Sequence, residues 1–211
     1  MVSIVLYLKG GFMKNTRVIG VGLLLTGLGG CFMRTPVRLD NIPLMWKPTS
    51  DMNLPPGSLN GVLETKVQFG AFKDVREHPE LIAENREEAV PKPVTTRDNV
   101  GEFVSAHLHS AFDRAGLTTV DSGGDVVITG EVRQFFVEET TTYKGHVLLR
   151  INVRGRGGKT LWSGAATGEA TRFGHSYSAE NYYEVLSDSI INAASYLLQD
   201  ADFRAALTRK R

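Results

Sequence analysis

Three stretches between Asp125 and Ala170 alternate apolar and polar residues, and short glycine-rich turns separate them. The clearest alternation runs from His146 to Arg154, where every second residue is apolar. A period of two predicts a strand that buries one face. Because tight turns join neighbouring antiparallel strands, this region predicts a three-stranded antiparallel meander.

Two stretches with helical periodicity flank the meander. From Asp98 to Ala115 apolar residues recur every three or four positions, with Asp98 as a candidate N-cap and Gly116 as a candidate left-handed residue after the helix. A second amphipathic helix is predicted from about Ala179 to Gln199, and a short final helix from Asp202 to Leu207.

The order of these elements predicts the fold class. A first alternating strand runs from Val62 to Ala71, so the order is strand, helix, three strands and helix. This order predicts an α+β fold, with an antiparallel sheet of about four strands and two helices packed on one face. Gly164, Ala166 and Gly168 in the last strand predict close approach of a helix. The polar stretch 77–95 is expected to be an ordered excursion or a loop.

Residues 13–31 have the three parts of a secretory signal peptide: basic residues, a short apolar run and small residues at the cut. The last four of these residues are Leu28, Gly29, Gly30 and Cys31. This motif resembles the lipobox of bacterial lipoproteins. The resemblance implies that the signal is removed before Cys31, the only cysteine of the chain, and that its thiol carries a diacylglyceryl group.

The alternative of a transmembrane helix fits this stretch less well. Residues 18–30, between Arg17 and Cys31, are fewer than the roughly 20 apolar residues that a span needs. The signal is complete from Met13, so translation is expected to start there and residues 1–30 are expected to be absent from the mature protein. Phe32 follows the cysteine, and by resemblance to enterobacterial lipoproteins this implies the outer membrane, periplasmic leaflet. The periplasmic side of the inner membrane is the alternative.

Residues 31–60 are expected to form a tether, because five of the eight prolines lie there. The folded domain is expected to occupy residues 61–211. The tether also contains a group of apolar residues, namely Leu39, Ile42, Leu44, Met45 and Trp46. These residues either dock on the domain or meet a partner or the lipid surface.

The sequence contains no recognisable catalytic motif, so we expect a protein that is not an enzyme and binds no cofactor or metal. His107 and His109 are two residues apart on a helix and do not face one another. His146 and His175 would suggest a hydrolase only if a carboxylate lay beside one of them in a cleft. The chain carries 24 basic and 23 acidic residues without a basic run, so nucleic acid is not an expected partner.

Aromatic residues near the predicted turns are the remaining candidates for function. Aromatic side chains often anchor protein interfaces. The candidates for partner binding are Tyr143, Tyr177, Phe173 and Phe136. Tyr143 and Tyr177 are the stronger ones because they lie at predicted tips, whereas core packing is an equal alternative for Phe136.

The whole arrangement resembles YajG-type envelope lipoproteins and the auxiliary lipoprotein component of ABC-type envelope lipid transporters. The points of resemblance are Cys31, Asp74-Val75-Arg76 after the first strand, the helix beginning at Asp98, and the strand pair within 124–154. It implies a lipid-anchored protein that binds or scaffolds an envelope assembly. The alternative is a lipid-binding accessory of a transporter, which needs an apolar groove between the sheet and the helices.

Overall fold

The computed structural model describes residues 38–209. The predicted signal peptide 1–30, the lipobox and Cys31 lie outside the described residues. The described elements, in chain order, are β1 (Val67–Asp74), β2 (Leu81–Asn85), β3 (Lys92–Thr95), α1 (Val100–Arg114), β4 (Thr119–Val120), β5 (Val126–Glu139), β6 (Thr142–Gly155), β7 (Thr160–Phe173), α2 (Ala179–Gln199) and α3 (Ala201–Thr208).

All seven described strands belong to one mixed sheet, and β5 is its central strand. One edge of β5 pairs antiparallel with β6, which in turn pairs antiparallel with β7. Two strands pair with the other edge of β5, both in parallel. β1 pairs with the first half of β5, and β2 pairs with the last residues of β5. β4 pairs in parallel with β1, and β3 closes the sheet antiparallel to β2.

The α+β class and the three-stranded meander are confirmed, but the predicted sheet of about four antiparallel strands is wrong in detail. The stretch 77–95 contributes the hairpin β2–β3, in which Ile82, Ala83 and Val94 are fully buried. Pro93 is tolerated there because β3 lies at an edge of the sheet. The pairing of β1 with β5 is parallel. Parallel strands need a long connection between them, and here α1 is part of that connection.

Both long helices contact the sheet and each other, α1 mainly through β1 and α2 through β6 and β7. Gly168 of β7 allows this approach, as predicted, whereas Gly164 leaves room for the ring of Trp162 in the same strand. A Cβ atom added at Gly168 would lie 1.9 Å from the carbonyl oxygen of Ser189 in α2. Space between the sheet and the helices is filled by large buried side chains, among them Phe112, Phe135 and Tyr182.

The N-cap of α1 differs from the prediction by one residue. The side chain of Asn99, not Asp98, accepts a hydrogen bond from the backbone N–H of Glu102 at 3.2 Å. The Asp98 carboxylate instead accepts a hydrogen bond from the backbone N–H of Leu44 at 2.7 Å. Gly116 adopts a φ of +92° directly after the helix, as expected for a left-handed terminating residue.

Candidate interaction surface and the docked N-terminal segment

Residues 38–54, which we call the N-terminal segment, lie along both α1 and α2. Leu44 bonds to Asp98 just before α1, and Lys47 donates its backbone N–H to the Ser187 hydroxyl of α2 at 2.9 Å. Farther along, the Gln199 side chain donates to the Asn53 carbonyl at 3.0 Å. The segment therefore follows each helix from its beginning towards its end, and most of the predicted tether is part of the folded unit.

The apolar residues of this segment dock on the folded domain, which was one of the two expected alternatives. Leu39, Ile42, Leu44 and Trp46 are partly buried and pack against the core. The indole of Trp46 stacks on the imidazole of His107, with ring centroids 4.2 Å apart and planes 2° apart. Burial lowers the pKa of His107 from 6.5 to about 4, so this imidazole is neutral at pH 7.

Asp188 of α2 holds the middle of the segment through four hydrogen bonds. Its carboxylate accepts the backbone N–H and the hydroxyl of Thr49, and the same two groups of Ser50, at 2.5 to 2.9 Å. Lys47 adds an ion pair to Glu180 at 2.5 Å. Hydrogen bonds to an ionised carboxylate are stronger than neutral ones, so this side chain is the main polar attachment of the segment.

The N-terminal segment begins beside β3 and the loop before α2. Leu39 forms an isolated parallel bridge with Val94, and Thr95 donates its backbone N–H to the Leu39 carbonyl at 3.1 Å. The hydroxyl of Tyr177 donates to the Pro93 carbonyl at 3.1 Å and accepts the backbone N–H of Leu39 at 3.4 Å. A single tyrosine hydroxyl thus connects the loop, β3 and the N-terminal segment.

A fully buried carboxylate, Glu139 at the end of β5, fixes the loop that carries Tyr177. One of its oxygens accepts the backbone N–H of Tyr177 at 3.0 Å, and the other accepts the hydroxyl of Tyr182. Burial, followed by this hydrogen bond, raises the pKa of Tyr182, so its hydroxyl remains protonated and donates. The arrangement holds Tyr177 at a φ of +43°, a backbone conformation that is unusual for tyrosine.

The four aromatic residues predicted to bind a partner have different environments. Tyr143 is fully buried, its ring packs edge-on against Tyr182 at 5.1 Å, and its hydroxyl accepts the backbone N–H of Ser176 at 3.1 Å. The prediction that Tyr143 presents its ring at an exposed tip is therefore wrong. Its position explains why, because Tyr143 shares the inward face of β6 with Val147.

The structure brings Tyr143, Tyr177 and Phe173 to one end of the sheet and leaves Phe136 outside this group. Tyr177 is half-buried beneath the N-terminal segment. Phe136 is half-buried and pairs with His146 of β6 on the sheet face opposite the helices. Of the four, only Phe173 at the end of β7 has a mostly exposed ring, with 81% of its surface accessible.

Asp74, the last residue of β1, and Arg76 form a largely buried ion pair. The guanidinium donates to both carboxylate oxygens of Asp74, at 2.9 and 2.7 Å. It also donates to the carbonyls of Leu81 and Phe135, at 2.8 and 3.0 Å. The fork of donors therefore ties β1, β2 and β5 together where the two parallel partners of β5 meet, which is a structural role.

The histidines and carboxylates of residues 38–209 are spread over separate surfaces. No group of three or more His, Cys, Asp or Glu side chains in this range could hold a metal ion. His146 lies 3.4 Å from Glu169 and His175 lies 3.8 Å from Glu87, but all four side chains are substantially exposed. None of the helices in this range has the length and apolar character of a membrane span.

An open cleft of about 700 Å³ lies between two turns at the other end of the sheet. It is lined by glycines of the two turns and by Gln68, Val127, Thr129, Arg154 and Arg156. Arg156 forms an ion pair with Asp125 at 2.6 Å. This shallow cleft differs from the apolar groove between sheet and helices that a lipid-carrying accessory requires.

No family model matches the chain, and no curated protein matches it. Among solved structures, a DUF330 protein from Xanthomonas campestris aligns with a TM-score of 0.48 at 8% identity, over 79% of this chain and 94% of the other. The PelC dodecamer from Paraburkholderia phytofirmans gives 0.39 at 16% identity, over 62% and 86%. Lipoprotein GNA1162 from Neisseria meningitidis gives 0.33 at 11% identity, over 56% and 90%.

Proposed function

We propose that this protein is a non-catalytic lipoprotein of the bacterial envelope that holds its domain at a membrane surface to bind or scaffold an assembly there. Cys31 carries the lipid, and the outer membrane is the proposed location. The proposal joins the lipobox of the sequence to the way in which the N-terminal segment is attached.

The observation that carries the proposal is the short connection between Cys31 and the docked segment. Residues 38–54 are fixed along the helices, so only residues 32–37 lie between Cys31 and the first described residue. Seven fully extended steps from Cys31 to Arg38 span at most about 25 Å. A lipid on Cys31 would therefore keep the domain against the membrane, where only partners at that surface are within reach.

The surroundings of the candidate chemical groups favour binding over catalysis. A site for acid–base catalysis is recognised by titratable groups that converge in a concave pocket. The two histidine–carboxylate pairs are exposed, with 41% and 66% of the His146 and His175 side chains accessible. The lipid-carrying alternative also has little support, because buried side chains and the N-terminal segment occupy the space that a lipid would need.

Acyl labelling in cells tests the anchor. We expect a chain expressed with a clickable fatty acid to become labelled and to fractionate with membranes, whereas Cys31→Ser should do neither. Thr35→Ser is the matched control, because it changes a neighbouring residue and keeps the thiol. Equal labelling of the Cys31→Ser chain would refute lipidation at this residue.

Extraction in mild detergent tests the assembly role. We expect a stoichiometric companion to purify with the wild-type chain and to be lost with Cys31→Ser, and the purified companion to bind the domain directly. If the labelled protein is membrane-bound but purifies alone under these conditions, the anchor stands and the scaffolding role does not.

A further inference from the structure

We infer that one end of the domain, marked by Phe173 and Val90, rests in the headgroup region of the membrane that holds Cys31. This end, which we call the Phe173 end, comprises the turns 86–91, 140–141 and 174–178. The inference rests on the proposed lipid anchor and adds the orientation of the domain and the residues that touch lipid.

Hydrogen bonds and strand pairing place these three turns at the same end. Phe173 is the last residue of β7 and pairs with Thr142, the first residue of β6. His175, in the next turn, lies 3.8 Å from Glu87 of the β2–β3 turn. β2 and β5 run in parallel and end together, with Asn85 paired to Glu139.

The chain from Cys31 also arrives at this end. Leu39 bonds to the hydroxyl of Tyr177 in the turn 174–178 and bridges to Val94 in β3. From there the N-terminal segment runs along α2, whose 21 residues span about 31 Å. That length exceeds the roughly 25 Å that seven extended steps can reach. The short connection therefore lets the Phe173 end meet the membrane, and it is too short for the domain to stand on its opposite end.

Exposure of apolar side chains identifies the contact residues. Phe173 and Val90 expose 81% and 75% of their surface, whereas the other large hydrophobic side chains that are exposed in residues 38–209 reach at most 51%. The two most exposed large hydrophobic side chains of residues 38–209 thus lie at the end where the N-terminal segment begins. Aromatic rings are favoured at the boundary between lipid and water.

The charges at this end are mixed, and two basic residues among them are free to meet lipid headgroups. Glu87 and Glu88 are exposed in the turn 86–91, where Glu88 forms an ion pair with Lys92. Arg38 and Lys144 are exposed, and neither has an ion-pair partner among residues 38–209. Lys144 lies two residues from Thr142, close to the pairing partner of Phe173. Basic residues are attracted to a membrane surface that carries anionic lipids. A bilayer fits better than a protein partner, because the anchor delivers the bilayer to this end without a second binding event.

Tryptophan fluorescence on vesicles tests the inference. The chain from Cys31 to Arg211 contains the whole compact unit and a single thiol, which can be coupled to a maleimide lipid in phosphatidylcholine and phosphatidylglycerol vesicles. Phe173→Trp reports on the proposed contact. Tyr196→Trp is the matched control, since Tyr196 is 51% exposed near the opposite end of α2. The wild-type chain supplies the background from its own two tryptophans.

We expect vesicles with brominated acyl chains to remove most of the fluorescence added by Phe173→Trp and to leave that added by Tyr196→Trp nearly unchanged. A blue shift should accompany the first variant alone. Equal quenching of both variants, or none in either while the coupled chains float with the vesicles, would overturn the inference. Chemical coupling makes this result independent of lipidation in cells, so it fails separately from the proposed function.

Discussion

Trp46 lies flat on His107, with 4.2 Å between the ring centroids, and this pair joins the N-terminal segment to the surface of α1. Phe103 packs edge-on against both rings, at 6.4 Å from Trp46 and 4.3 Å from His107. Aromatic surface therefore covers part of the half-buried imidazole, and it cannot replace the water that a protonated imidazolium requires. We therefore expect docking of the segment to be sensitive to acid.

We expect the free energy of unfolding to fall as the pH drops from 6.5 towards 4. In this interval the unfolded chain protonates His107 with its ordinary pKa of 6.5, whereas the folded chain does not, because burial lowers that pKa to about 4. The unfolded state then binds more protons, so acid favours it. Urea unfolding of the wild type and of His107→Phe at a series of pH values checks this. The difference between their free energies of unfolding should change between pH 6.5 and 4.

The control for this measurement is His78→Gln, since the His78 side chain is 67% exposed. That variant should keep the wild-type pH profile. If wild type and His107→Phe lose stability in parallel between pH 6.5 and 4, the proposed role of His107 is wrong.

Removal of the Asp188 carboxylate should release the middle of the N-terminal segment. Asp188→Ala leaves two backbone N–H groups and two hydroxyls of Thr49 and Ser50 without their acceptor. We expect a loss of about 2 kcal/mol in the free energy of unfolding. Hydrogen exchange should also speed up at residues 49–50. Asp121→Ala, in an exposed turn, is the control, and similar losses in both variants would contradict the assignment.

Loss of the Glu139 side chain should destabilise the Phe173 end of the sheet. Glu139→Ala leaves the hydroxyl of Tyr182 and the backbone N–H of Tyr177 buried without an acceptor. The expected cost is about 3 kcal/mol, measured by denaturant unfolding. Glu138→Ala, one residue earlier, removes only an exposed ion pair with Arg86 and should cost less than about 1 kcal/mol. If Glu139→Ala and Glu138→Ala lower the free energy of unfolding equally, the hydrogen bonds of Glu139 contribute little to stability.

A methyl group at Gly168 should force α2 away from β7. The added Cβ atom would meet the backbone of Ser189 and Ala193, at 1.9 and 2.5 Å, and backbone atoms cannot rotate out of the way. We expect Gly168→Ala to lower the stability by about 3 kcal/mol or to prevent folding. Gly157→Ala is the matched control, because a Cβ atom there meets no atom within 4 Å. Thermal unfolding of both variants gives the comparison.

Local periodicity explains which elements could be predicted from the sequence. The strands β5 to β7 and the helices α1 and α2 are long enough for their apolar patterns to be read directly. The strands β2 and β3 have only five and four residues and lie among charged residues and prolines, so their pattern is too short. The parallel pairing of β1 with β5 was not predicted, because it depends on how distant elements meet.

The candidate site was harder to predict for two separate reasons. Tyr143 could have been recognised as buried, because the alternation of β6 continues from Val147 back to it, but Gly145 interrupts the apolar pattern. The contacts of Asp188 and Glu139 had no such signal. Asp188 bonds to residues about 138 positions away, and Glu139 to residues about 40 positions away, so only the folded chain brings them together.

The course of the N-terminal segment along the helices has a mechanical consequence. Consider a force that pulls residue 38 outward from the Phe173 end, into the space beyond the domain. Such a force acts along the direction of the segment and of α2. The hydrogen bonds to Ser187, Asp188 and Gln199 then share the load, as in shear, instead of breaking one after another as in peeling. The segment therefore acts as a force-bearing joint between the domain and whatever holds its amino-terminal side.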